Sequence, residues 1–114
     1  MDKHLKSTQI KGTAASRGKA RGIARIVKNP RQAKKLKAGD IAVLPISKLA
    51  FLPANRRPIA GFVVDEGGIT CHIATVAREM KKPCLVGTKN ATKVLRDGDK
   101  VEIDSQKGII RILK

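Results

Sequence analysis

Apolar residues along this chain come in short runs with two different spacings. Asp40 to Pro45 and Ile59 to Asp65 are compact apolar blocks, the kind that fills a strand buried on both faces. Between Thr70 and Met80 the spacing changes. Ile73, Val76, Ala77 and Met80 recur at i, i+3, i+4 and i+7, the stripe of an amphipathic helix. Lys81 and Lys82 suit its C-terminal end and Pro83 stops it. Upstream, residues 9–28 read as extended chain broken by glycine, with strands at Gln9 to Gly12 and Ala20 to Val27. Gly18 and Gly22 mark a turn or a close backbone approach. Asn29-Pro30-Arg31-Gln32 opens a short helix that stops near Gly39: Asn29 caps it, Pro30 fits its first turn, and Gln32 holds the capping-box position. Residues 46–58 carry Pro53 and Pro58 and read as irregular, with at most one helical turn. Cys84 to Val86 is a short strand and Asn90 to Leu95 a helical turn. Val101 to Asp104 and Ile109 to Leu113 form a hairpin around Gly108. Strands alternate with short helices, which predicts a mixed α/β fold around one core. Residues 1–8 read as a loose tail and 9–114 as one domain.

Composition sharpens this picture. Of the 114 residues 41% are hydrophobic, and the only aromatics are Phe51 and Phe62, so the core must be aliphatic. No apolar run approaches the ~18 residues that a membrane-spanning helix needs. Met1 to Lys11 is polar and lacks the apolar segment of a signal peptide. Cys71 and Cys84 are too few for a disulfide framework and are not spaced as a zinc site, so the default compartment is the reducing cytoplasm. The 25 Lys and Arg outnumber 9 Asp and Glu, a formal charge of +16. Such a charge first suggests nucleic acid. The absence of Trp and Tyr, however, leaves almost no stacking platform for single strands, and the cations are scattered. The balance favours a solvated surface suited to an acidic partner over a nucleic-acid site.

Chemistry is concentrated in Asp65-Glu66-Gly67-Gly68-Ile69-Thr70-Cys71-His72, where a buried strand meets two glycines and then a helix. Thr70 is the expected N-cap, which puts His72 in the first turn near free backbone N–H groups. A helix start attracts anions and disfavours an imidazolium, so the ring is expected to stay neutral and nucleophilic. A neutral histidine beside an anion site is what a phosphate-accepting nucleophile requires: the ring attacks phosphorus, and backbone donors and the Thr70 hydroxyl meet the phosphoryl oxygens. Gly67 and Gly68 leave room for a bulky donor. The residues alone leave other readings open. His72 can be a structural or surface residue, and Cys71 a nucleophile activated by the helix start. A metal site is disfavoured, since no second His or Cys pair lies at ligand spacing. Cys84 reads as core, and His4 as without a role.

The stretch Gly67-Gly68-Ile69-Thr70-Cys71-His72-Ile73-Ala74-Thr75-Val76-Ala77-Arg78-Glu79 closely resembles the phosphohistidine signature of the PEP-utilising enzymes. These include phosphoenolpyruvate synthase, pyruvate phosphate dikinase and enzyme I of the sugar phosphotransferase system. The likeness continues through Pro83 to Thr88, Asn90-Ala91-Thr92, Asp97-Gly98-Asp99 and Val101 to Asp104. Upstream it takes in Gly12 to Gly18 and Gly39-Asp40-Ile41, so it spans roughly residues 9–113. Segment 46–58 matches poorly. The Thr-Cys-His form is most like the phosphoenolpyruvate synthase branch.

That resemblance implies a compact swivelling β/β/α phosphohistidine domain. In the family this domain shuttles between an ATP-grasp domain and a barrel that binds phosphoenolpyruvate or pyruvate. It makes His72 the phospho-acceptor, with Thr70 and Cys71 flanking it and Gly67 and Gly68 as the approach loop. No cofactor is expected on this domain; ATP, phosphoenolpyruvate and Mg2+ are expected on partner subunits acting in trans, because a chain of this size has no room for them. The chain then reads as a phosphotransferase component, incomplete as an enzyme alone. The alternative is a non-catalytic basic binding or regulatory protein on the same scaffold.

Overall fold

Both apolar blocks become central strands of one eight-stranded sheet in the computed structural model, which describes residues 9–113; the expected tail over 1–8, with His4, lies outside the described residues. The strands are β1 (Gln9–Lys11), β2 (Thr13–Ser16), β3 (Lys19–Ile26), β4 (Asp40–Ile46), β5 (Gly61–Glu66), β6 (Cys84–Val86), β7 (Lys100–Asp104) and β8 (Ile109–Ile112). Two helices, α1 (His72–Met80) and α2 (Ala91–Val94), and short 3-10 turns at Gln32–Lys35 and Leu49–Phe51 complete the chain. The sheet order is β1-β8-β7-β3-β4-β5-β6-β2. Strands β3, β4, β5 and β6 run parallel, and the remaining pairings are antiparallel.

β1 and β2 form the two edges of this sheet although only Gly12 separates them in sequence. The sheet therefore curls until its edges meet. Gly12 stands at the seam, where its N–H donates to the Gly108 carbonyl at 2.9 Å. Curling gives the central strands two buried faces. Ile41, Val43, Val63 and Leu85 face the inside with Ile10, Val101, Ile103 and Ile110. Ala42, Leu44, Phe62, Val64 and Cys84 face the other way, against Ile73, Ala74 and Ala77 of α1 and Phe51 and Leu52 of the 46–60 crossover. Ile73 is fully buried, worth about 2 kcal/mol by area. Gly22 fulfils the expected close approach: a side chain there would run into the Gly39 carbonyl.

The expected elements differ from the structure in several places. The helix expected to run from Asn29 toward Gly39 is only the 3-10 turn Gln32–Lys35. The Asn29 side chain still accepts the Gln32 N–H at 3.0 Å and Gln32 accepts the Lys28 N–H, but the capping position falls on Arg31, which makes no side-chain cap bond, because the turn begins two residues after Pro30. Thr13–Ser16 forms a strand of its own, paired to β6. The second apolar block enters the sheet at Gly61, two residues later than expected: Ile59 closes a turn on the Arg56 carbonyl, and the Ala60 N–H then meets the Asp40 carbonyl at the start of β4.

Candidate functional site

β5 delivers the candidate residues to one end of the parallel sheet. It ends at Glu66, and Gly67 takes a φ of 155°, which favours glycine. The Cys71 N–H donates to the Gly68 carbonyl at 3.0 Å, closing a turn that sends the chain back along α1. Gly67, Gly68, Thr70, Cys71 and His72 thus lie together on a single reversal of the backbone. His72 and Thr70 are exposed, and Cys71 is half-buried. A side chain at Gly68 would project into open space, so the approach to this turn is unobstructed.

Thr70 is not the N-cap that its position suggests. The helix begins at His72, so Cys71 is the capping residue, and it makes no side-chain cap bond. The turn closed by Gly68 and Cys71 takes up Thr70 and moves the helix start along the chain. The cap comes instead from Ser47, just after β4, whose Oγ accepts the Ile73 N–H at 3.1 Å. His72 occupies the first helical position, where backbone N–H groups have no partner within the helix.

Two anchors that the sequence reading missed hold this turn. The Arg78 guanidinium donates from Nη1 to the carbonyls of Ile69 and Ala15, both at 2.8 Å, tying the reversal to α1 and to β2. Asp65, buried one residue before the end of β5, accepts from the Thr88 hydroxyl at 2.8 Å, the Ala91 N–H at 2.7 Å and the Thr92 hydroxyl. It thereby caps α2 and fixes the strand end from which the turn departs. Asp65 carried a signal, a carboxylate closing an apolar strand. Arg78 is one more residue of the stretch Gly67 to Glu79, and nothing in the sequence marks the contacts it makes.

The thiols divide as their burial dictates. Cys84 lies in the core, and burial pushes its thiol up to about 12, with Cys71 adding to the rise and Arg78 opposing it. It has the core role expected of it. Cys71 packs its side chain against the same core, 3.4 Å from where a Gly67 side chain would begin. A cavity of about 350 Å3 lies near the far end of α1, lined by Arg57, Glu79, Met80 and Lys82. His72 stands instead on open surface.

Among the described residues no helix is long and apolar enough to cross a membrane, and no three His, Cys, Asp or Glu side chains cluster as metal ligands.

Residues 36–108 match the family described as PEP-utilising enzyme, mobile domain. A probable phosphoenolpyruvate synthase of Methanothermobacter thermautotrophicus is 42% identical over 101 residues, covering 89% of this chain and 15% of that protein. This chain therefore spans a small part of the length of that relative. The solution structure of Enzyme I (nEIt) superposes with a TM-score of 0.58 at 29% identity, over 68% of this chain and 32% of that one. Aconitase X of Thermococcus kodakaraensis superposes with a TM-score of 0.71 over 95% of this chain, at 24% identity, a likeness of fold.

Proposed function

The chain belongs to the PEP-utilising enzyme mobile-domain family, and on that premise we propose that it is a phosphocarrier whose acceptor is His72. One observation carries the reading: an exposed histidine at the first position of α1, on a turn opened by Gly67 and Gly68. A ring nitrogen attacks the donor's phosphorus, a P–N bond forms, and the P–O bond to the leaving group breaks. Transfer onward reverses these steps on the acceptor. The backbone N–H groups of the helix start other than those of Cys71 and Ile73, which Gly68 and Ser47 hold, and the Thr70 hydroxyl are suited to the phosphoryl oxygens, which gather charge during transfer. Cys71 supports the turn by packing, without forming a bond to phosphorus.

A phosphocarrier of this kind needs a nucleotide site and a phosphoenolpyruvate site with which to exchange its phosphoryl group. We assign them to an ATP-grasp subunit and a phosphoenolpyruvate- or pyruvate-binding barrel subunit acting in trans, where ATP, phosphoenolpyruvate and Mg2+ would bind. Two free thiols suit the reducing cytoplasm.

Incubation with extract of the source cells and labelled ATP or phosphoenolpyruvate tests the reading. Acid-labile, base-stable label on the wild-type chain and none on His72→Ala is the expected result. Equal labelling of both variants would sink it. The basic-binding alternative draws on the surface charge, since 25 Lys and Arg face 9 Asp and Glu, and the ion pairs among the described residues engage Lys19, Arg21, Arg25 and Arg111 alone. It predicts no label on either variant.

A further inference from the structure

The helix that carries His72 is held at its first turn by a residue from another part of the chain. Resting on the reading that His72 takes a phosphoryl group, we infer that Ser47 is the positioning residue of that histidine. Its hydroxyl fixes the first helical turn, and through that turn the direction in which the imidazole meets its donor.

The argument starts from what precedes His72. Gly67 and Gly68 have wide backbone freedom, and Cys71, at the cap position, supplies no side-chain bond. Helix starts without a cap fray, because their first N–H groups have no partner. Ser47 removes that freedom for the peptide next to His72 by accepting the Ile73 N–H at 3.1 Å. Its own position is firm. Ile46 and Glu66 are the last partners in the parallel register of β4 and β5, so Ser47 and Gly67 leave the sheet side by side. The residues of β4 from Asp40 to Leu44 are buried. Arg78 ties the middle of the reversal at the Ile69 carbonyl, and Ser47 ties its helical end to a rigid strand 26 residues away in sequence. A reacting group gains most of its advantage from being held in near-attack geometry, and small displacements are costly.

The test uses the intact chain and phosphoramidate, a small donor that needs no partner protein. A ring nitrogen forms the new P–N bond, the donor's P–N bond breaks, ammonia leaves, and the ring's other nitrogen gives its proton to solvent. Ser47→Ala should be labelled roughly tenfold more slowly than wild type, and Ser47→Thr, which keeps the hydroxyl, within about twofold of it. The Ile73 amide should exchange with solvent faster in Ser47→Ala and at the wild-type rate in Ser47→Thr. Labelling of Ser47→Ala at or above the wild-type rate overturns the inference, as does equal slowing of the Ala and Thr variants. If Ser47→Ala does not fold, Ser47→Val against its isostere Ser47→Thr repeats the comparison. His72→Ala separates the two claims. If it stays unlabelled while Ser47→Ala reacts normally, only the role of Ser47 falls; if it is labelled like wild type, the reading of His72 falls and takes this inference with it.

Discussion

The guanidinium of Arg78 reaches back along α1 and donates a hydrogen bond of 2.8 Å to the carbonyl of Ile69, on the turn that presents His72. A second bond from the same nitrogen goes to Ala15 on β2, so one side chain joins three parts of the fold. Its other terminal nitrogen reaches the Thr75 hydroxyl at 3.4 Å, and the rigid guanidinium plane fixes the directions of all three bonds, whereas a lysine carries its three donors on one nitrogen at the end of a flexible stem. Arg78→Lys and Arg78→Ala should both cost about 1–2 kcal/mol in urea unfolding, with lysine recovering little. Full recovery by lysine would mean that charge rather than geometry matters at this position.

Asp65 gathers the donors of Thr88, Ala91 and Thr92 inside the protein. Asp65→Ala leaves several of them unpaired and should cost about 2–4 kcal/mol, with Asp65→Asn intermediate. Denaturant midpoints at constant slope provide the measure. A loss below about 1 kcal/mol would show that water replaces the carboxylate without penalty.

Glu102 sits between two arginines, accepting from Arg21 Nε at 3.0 Å and Arg111 Nη2 at 2.6 Å. The Arg21 bond first, then the Arg111 bond, holds its carboxyl below the usual carboxylate range. A lowered folded-state value adds stability that is complete above the unfolded value, near pH 4.3, and is lost as pH falls through the folded value. The melting temperature should therefore drop on acidification below about pH 4, and drop less in Glu102→Gln, which has no charge to lose. Parallel curves for the two proteins would remove Glu102 from the account of acid stability.

Burial separates the two thiols. With its thiol pushed up to about 12 and its side chain in the core, Cys84 should resist alkylation in the native state. The half-buried Cys71 should react first. Mass spectrometry after iodoacetamide is expected to find native modification at Cys71 and modification of both in urea. Native modification at Cys84 would show that the core opens on the labelling timescale.

Local pattern made much of this structure readable. The stripe from Ile73 to Met80 and the apolar blocks around Val43 and Val63 announce α1, β4 and β5, because each buries a face whose period shows in sequence. β2 escaped because only Ala15 and Ser16 are buried, and its partner β6 is about 70 residues away by the register Ala14 to Leu85. The cap was misplaced for a related reason. Thr70 has the right chemistry, but a turn bond between Cys71 and Gly68 shifts the helix start, and Ser47 is joined to Ile73 only by the folded sheet. What could be read was the group expected to react. What could not be read was how the fold holds it, since those contacts connect residues distant in sequence.

The central claim is that His72 alone receives phosphorus, and its most direct test is to locate the modified residue. The chain is phosphorylated, kept in mild base to preserve the P–N bond, digested and sequenced by tandem mass spectrometry. The account predicts phosphate on the peptide containing His72, localised to that residue, lost on brief acid treatment, and absent from His72→Ala while Cys71→Ser keeps most of it. Phosphate on Cys71, Thr70 or any other residue, or undiminished phosphate in His72→Ala, would contradict it.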